Sequence, residues 1–264
     1  MIKLQIKSAD GKVLAEAAGT YASCVYRQKY NDGDYIELTC DSEFVVMKLA
    51  SHLADSIVYL PEKSFRYDIP KGDKRRIYAP NTWDTDLNIV TVREASDDEA
   101  YGYRNIAQNS AAVRFEDKYF PFARANHVTR DEVTFEERNS IDGIICQDSH
   151  GFWPFQSYAG GAREDIEYYL YFGRNVSVDT IIFYLRADFN NDHDTYWKSF
   201  DAEFSDGSKM SFSFEKSNSG QKFRLSEPKI TSYIHLTNFK QASNPLSWAA
   251  LSQIEVYGNY LPEK

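Results

Sequence analysis

Asp142 stands in an Ile-Asp-Gly turn near the middle of the chain, and Glu255 stands in its last apolar run, Gln-Ile-Glu-Val-Tyr-Gly over 253–258. Carboxylates from opposite ends of a β-unit come side by side when the unit folds as a sandwich, and together they would line an oxygen-rich, cation-sized site. A second group, Arg186, Asp188, Asn190, Asn191, Asp192, His193 and Asp194, crowds one polar stretch between two apolar runs. These side chains offer planar, directed donors and acceptors that suit sugar hydroxyls. The same composition also makes a solvated turn, because Asn and Asp tolerate left-handed backbone. A third stretch, 148–161, sets Phe152, Trp153, Phe155 and Tyr158 among Gly and Pro. Aromatic faces on such a loop stack on the apolar face of a pyranose. Trp153 and Phe155 are the candidate platforms, with Trp248 lining the same end. The competing role for any one of these rings is to plug the end of a sandwich.

Catalysis is a weaker reading of the same residues. Asp188, Asp192, Asp194 and His193 supply the groups of acid/base glycoside chemistry. A catalytic pair has to be held at a defined separation on a rigid base, whereas these crowd one loop. The sequence has no nucleophile elbow, no H-E-x-x-H and no phosphate-cradling glycine loop, and its five histidines are scattered without metal-ligand spacing. The expectation is a protein that is not an enzyme.

The elements that position these groups read as strands. Aromatic residues make up 15% of the chain, mostly 19 Tyr and 17 Phe, and this enrichment favours half-buried strands over helical bundles. With 264 residues there is enough chain for two cores. The expected class is all-β, with two β-sandwich (jelly-roll) domains. Strands at 2–6, 35–38, 44–47, 57–60, 65–69 and 87–92, spaced by Pro and Gly punctuation, outline a first sandwich over 1–94. The segment around Trp83 reads as a loop that tucks its indole beneath the sheet. The stretch 95–121 reads as a linker in which Ser96 and the acidic residues after it cap a short helix. The second sandwich spans 122–264, with strands at 168–172, 180–185, 200–204, 210–214, 230–236 and 254–257. A loose parallel between 34–49 and 167–185 is the pattern a duplicated sandwich would leave, and equally the likeness of any two alternating strand runs.

The net charge of −9, with no basic run longer than Lys74-Arg75-Arg76, gives no phosphate-tracking face, so nucleic acid is not an expected partner. Three cysteines, Cys24, Cys40 and Cys146, form neither a C-x-x-C pair nor an even set, which reads as free thiols. The amino-terminal residues alternate polar and apolar and lack the apolar region of an export signal, and no segment approaches a membrane span. The expected location is cytoplasmic if Met1 is the native start, and secreted or cell-surface otherwise.

Residues 125–130 leading into Arg138-Asn139-Ser140-Ile141-Asp142-Gly143, then 167–173, 180–185, and Tyr196-Trp197 before a Ser-Asp-Gly hairpin at 205–207, occur in the order found in the discoidin family. The second half of the chain resembles this family, also called coagulation factor V/VIII type C, whose members are galactose-binding-like sandwiches. The resemblance implies sugar recognition by loops at one end of the sandwich and a structural calcium ion beside them. It implies calcium ligands at Asp142 and Glu255, with nearby carbonyls, and Asn139 and Asp148 complete the candidate set. The chain departs from the family just after Gly143, where an acidic ligand is replaced by the run Ile144-Ile145-Cys146. Taken together, the expectation is a non-catalytic carbohydrate-binding protein. Its polar clamp is Arg186, Asp188, Asn191, His193 and Asp194, and its stacking rings are Trp153, Phe155 and Trp248. The alternatives are an interaction scaffold whose amino-terminal half docks a protein partner or a second copy, and, third, a glycoside-active enzyme.

Overall fold

The structure, a computed structural model, describes residues 1–187, 195–242 and 249–262. It is all-β apart from short helical turns. The first eight strands are β1 (Ile2–Lys7), β2 (Val13–Gly19), β3 (Tyr21–Tyr26), β4 (Tyr35–Cys40), β5 (Phe44–Lys48), β6 (Ser56–Tyr59), β7 (Ser64–Asp68) and β8 (Asn88–Glu94). They form two four-stranded antiparallel sheets, in the orders β2-β1-β4-β7 and β3-β8-β5-β6. Period-two alternation sends Ile2, Leu4 and Ile6 of β1, Ile36 and Leu38 of β4, and Val90 and Val92 of β8 into one core. Trp83 is buried under it, stacked on Tyr67 at 5.5 Å. Strands β2 and β3 escape the sequence reading because Ala, Ser and Gly dilute their apolar alternation, and pairing to β1 and β8 compensates.

After β8, Ser96 caps helix α1 (Asp97–Tyr101) in a capping box with Glu99. Strand β9 (Arg104–Asn105) then pairs with the last strand of the chain, and Phe120 exchanges backbone hydrogen bonds with Tyr59 of β6. The remaining strands are β10 (Phe122–Ala125), β11 (Tyr168–Leu185), β12 (Trp197–Phe204), β13 (Lys209–Ser213), β14 (Gln221–Gln241) and β15 (Leu251–Tyr260). Together with β9 these six make a seven-stranded sheet in the order β13-β12-β14-β11-β15-β9, with β10 beside the start of β11.

Strand β11 serves two layers. Its residues Tyr168 to Tyr171 lie between β10 and the far end of β14, and Val176 to Leu185 lie between the near end of β14 and β15. The register breaks between these halves, where Gly173 adopts φ +77°. The sheet therefore folds over on itself, and Phe183 of the second half meets Phe200 of β12 at 5.0 Å and Phe212 of β13 at 4.9 Å. The expected strands at 168–172 and 180–185 are one bent strand. The parallel with 34–49 does not survive, since that segment forms β4 and β5 in two different sheets. Cys24, Cys40 and Cys146 are free thiols. Among the described residues no helix is long and apolar enough to cross a membrane.

Candidate functional site

Three loops leave the same end of the second core, and their roots are laced by backbone hydrogen bonds. Arg186 N donates to Ala250 O at 3.0 Å, Ala187 N donates to Gln147 O at 2.7 Å, and Ala242 N donates to Tyr196 O at 3.0 Å. Gln147 Nε2 also donates to Leu185 O at 2.8 Å, so this side chain clamps the end of β11. The polar stretch after Ala187, the segment after Ala242 and the loop that begins at Gln147 thus start from one place. Bringing these roots together is what two long antiparallel strands do when their connections fall on the same edge. Asp188, Asn191, His193, Asp194 and Trp248 lie outside the described residues. Arg186 lies inside them and is buried.

The aromatic loop goes elsewhere. Phe155 N donates to Phe152 O at 2.8 Å, closing a turn, and Trp153 N donates to Arg76 O at 2.9 Å in the first half of the chain. The Arg76 guanidinium sits 3.2 Å from the centre of the Phe152 ring. Trp153 remains 38% exposed and Phe152 47% exposed, whereas Phe155 is half-buried. The described contacts therefore bring Arg186 to Gln147 and Ala250, and bring Trp153 to Arg76. No contact among the described residues joins Arg186 to Trp153. Sequence reasoning missed Arg76, because nothing local links it to a loop more than seventy positions away.

The Asp142 turn is buried and held by hydrogen bonds. Asp142 Oδ1 accepts from Ile144 N at 2.9 Å and Oδ2 accepts from Gln156 Nε2 at 2.8 Å. Burial pushes its carboxyl up to about 6, against the pull of the buried Arg138 guanidinium. The last strand does reach this turn, but with Gln253, whose Oε1 accepts from Gly143 N at 3.3 Å. Glu255 has other partners, accepting from the Tyr184 and Tyr257 hydroxyls at 3.4 and 3.3 Å. Asp148 is exposed, and Asn139 is buried with Nδ2 donating to Val133 O at 2.8 Å and Oδ1 unpaired. Unpaired Asn139 Oδ1 and Gln156 Oε1 are acceptors that a cation would suit. The second carboxylate is missing, however, and no group of three His, Cys, Asp or Glu among the described residues could hold a metal. A neutral amide where the last strand meets the turn, and an Asp142 whose two oxygens each already accept a hydrogen bond, do not fit a divalent cation with the expected ligand set.

Beside this turn lies a carboxyl that the sequence did not single out. Glu137 is fully buried, neither oxygen has a hydrogen-bond partner, and Arg114 Nε is 3.7 Å away. Burial pushes Glu137 up to about 7. Arg138, also buried, donates to the carbonyls of Ala112 and Ser110 and lies 5.3 Å over the Tyr78 ring. Arg138, part of the motif that carried the family resemblance, and Glu137 beside it tie 110–114 to the second core.

No protein-family model matches the chain, and no curated protein matches it. Among solved structures it is similar to a chitosan-binding module from a chitosanase/glucanase of Paenibacillus sp. IK-5, at 15% identity and TM-score 0.41 over 59% of this chain and 99% of that one. It is also similar to the family 32 carbohydrate-binding module of C. perfringens NanJ, solved with galactose, at 16% identity and TM-score 0.38 over 51% and 91%. A third is the lectin domain of Lectinolysin complexed with Lewis B antigen, at 13% identity over 58% and 95%, with TM-score 0.41.

Proposed function

We propose that this protein binds carbohydrate without transforming it, through the loops at the Arg186 end of the second sandwich. The observation that carries this reading is the gathering of three loop roots at one end by the Arg186–Ala250, Ala187–Gln147 and Ala242–Tyr196 hydrogen bonds, from which the aromatic loop runs on to Arg76. Sites of this kind set a few directed polar groups among aromatic surfaces on a rigid β-scaffold. Arg186 gives a planar donor at the root of the polar loop, and Trp153 gives an exposed ring on the aromatic loop. The absence of catalysis is part of the proposal and rests on chemistry. The acid/base candidates Asp188, Asp192, His193 and Asp194 all sit on one loop, with no second element opposing them in the sequence.

A glycan array followed by calorimetry on the best ligand tests it. Arg186→Gln should weaken binding about tenfold to a hundredfold, the loss of one charge-assisted hydrogen bond. Trp153→Ala, at an exposed position that does not support the core, should weaken it with the melting temperature unchanged. Unaltered affinity in both variants, or turnover of a glycoside by the wild-type chain, would overturn the proposal.

A further inference from the structure

The one basic run of the sequence and the exposed rings of the aromatic loop are neighbours in space. Residues 71–76 hold Lys71, Lys74, Arg75 and Arg76 against a single Asp73, a net of +3 (4 − 1) in a chain of −9. They form the 3-10 turn Gly72–Ile77, which anchors on the first core through the buried Ile77 and presents Lys71, Lys74 and Arg76 to solvent. Arg75 is engaged below, its Nε donating to Pro70 O at 2.8 Å. Trp153 hangs from Arg76 O, and Phe152 lies under the Arg76 guanidinium. The acidic groups near this surface are largely committed. Asp73 faces Arg76 at 3.4 Å, Glu132 is paired with Arg130 at 2.6 Å, and Glu136 is held up by burial, towards its neutral form.

From this juxtaposition we infer that the sugar bound by this protein is an anionic polysaccharide, its carboxylate or sulfate groups held by Lys71, Lys74 and Arg76 while a pyranose stacks on Trp153. The inference rests on the carbohydrate reading above and adds the ligand's charge. Three features favour it over a neutral ligand. The positive patch stands out against an acidic molecule, so it focuses anions locally. Arg76 is stacked on the Phe152 ring and faces the exposed Asp73 at 3.4 Å, so its guanidinium is held at the surface and an incoming oxyanion competes with one solvated carboxylate. The Trp153 backbone is bonded to Arg76 O at 2.9 Å, so the loop that carries the exposed indole is attached to the basic turn itself.

Calorimetry of the whole chain against polygalacturonate, dextran sulfate, a neutral galactan and oligothymidylate decides the matter. One of the two acidic polysaccharides should bind about tenfold tighter than the galactan at low salt, and the advantage should collapse above ~0.5 M salt, where the Debye length falls below about 5 Å. The better of the two identifies carboxylate or sulfate as the recognised group. Lys71→Ala combined with Lys74→Ala, both at exposed positions, should bring the acidic-to-neutral affinity ratio close to one. If galactan binds as well as the acidic chains, or if the double variant keeps the ratio, the inference falls and the carbohydrate reading stands. Tighter binding of oligothymidylate than of any glycan would replace both with nucleic-acid recognition, and silence towards every polysaccharide would remove both.

Discussion

Glu137 shows how much of this protein's behaviour rests on single buried groups. A carboxyl without hydrogen-bond partners is cheaper to bury neutral than charged, so burial raises its pKa from 4.5 to about 7. The folded state then holds the Glu137 proton more tightly than the unfolded chain, and this contribution is fully present below pH 4.5 and lost as pH rises through about 7. Across that window it is worth ~3 kcal/mol at most. Glu137→Gln should flatten the dependence of urea-unfolding stability on pH between 5 and 7.5, with wild type losing stability as pH rises and the variant losing less. Parallel pH profiles for the two proteins would show that Glu137 is ionised and paired with Arg114 throughout. The same scale explains the Asp142 turn. Side-chain charge alone points to Glu255 as its partner, but Gln253 on the same strand makes the contact.

Among the elements, β11 carries the architecture, and Gly173 lets it do so. At φ +77° an added Cβ would be strained, and it would also fall 2.3 Å from Cδ2 of Phe120. Gly173→Ala should destabilise the protein by more than ~1 kcal/mol, read as a shift of the urea midpoint. A midpoint equal to wild type would mean that the bend is not enforced at this residue. Downstream of the bend, Ile181, Phe183 and Leu185 face inward and set where Arg186 and Ala187 emerge, so the loop roots inherit their place from this one strand. In the sequence the bend shows only as Gly173 after an apolar run, a pattern that equally marks the end of one strand and the start of another.

At the scale of the whole molecule, the two cores meet through aromatic rings. Phe44 of β5 lies 5.0 Å from Tyr260 and 5.5 Å from Tyr101, and Tyr59 of β6 lies 6.1 Å from both Tyr260 and Phe120. Arg174 spans this contact, 5.3 Å over the Tyr59 ring, donating to Leu261 O at 2.9 Å and pairing with Glu43 at 3.4 Å. Arg174→Ala should cost about 2 kcal/mol, the loss of a charge-assisted hydrogen bond and a cation–π contact. In scanning calorimetry the wild type should melt in one transition and the variant in two. A single, unshifted transition in the variant would show that the halves are coupled by the rings alone. The same adjacency sets the Lys71–Arg76 turn beside Phe152 and Trp153, so the surface proposed for an acidic glycan belongs to neither half alone.

The sequence by itself determined the all-β class, the alternation that fills both cores, the burial of Trp83, and the residue types that suit a sugar. These are local properties, written in period-two patterns, turn residues and side-chain chemistry. Only the tertiary structure decided that Gln253 meets the Asp142 turn, that Gln147 clamps the root of the Arg186 loop, and that Arg76 carries the aromatic loop. Each of these joins residues far apart in the chain, and no local pattern encodes which distant backbone group a strand end or loop will find. Which loops share an end follows from how β11 bends and which strands pair beside it, and that is a property of the folded sheet.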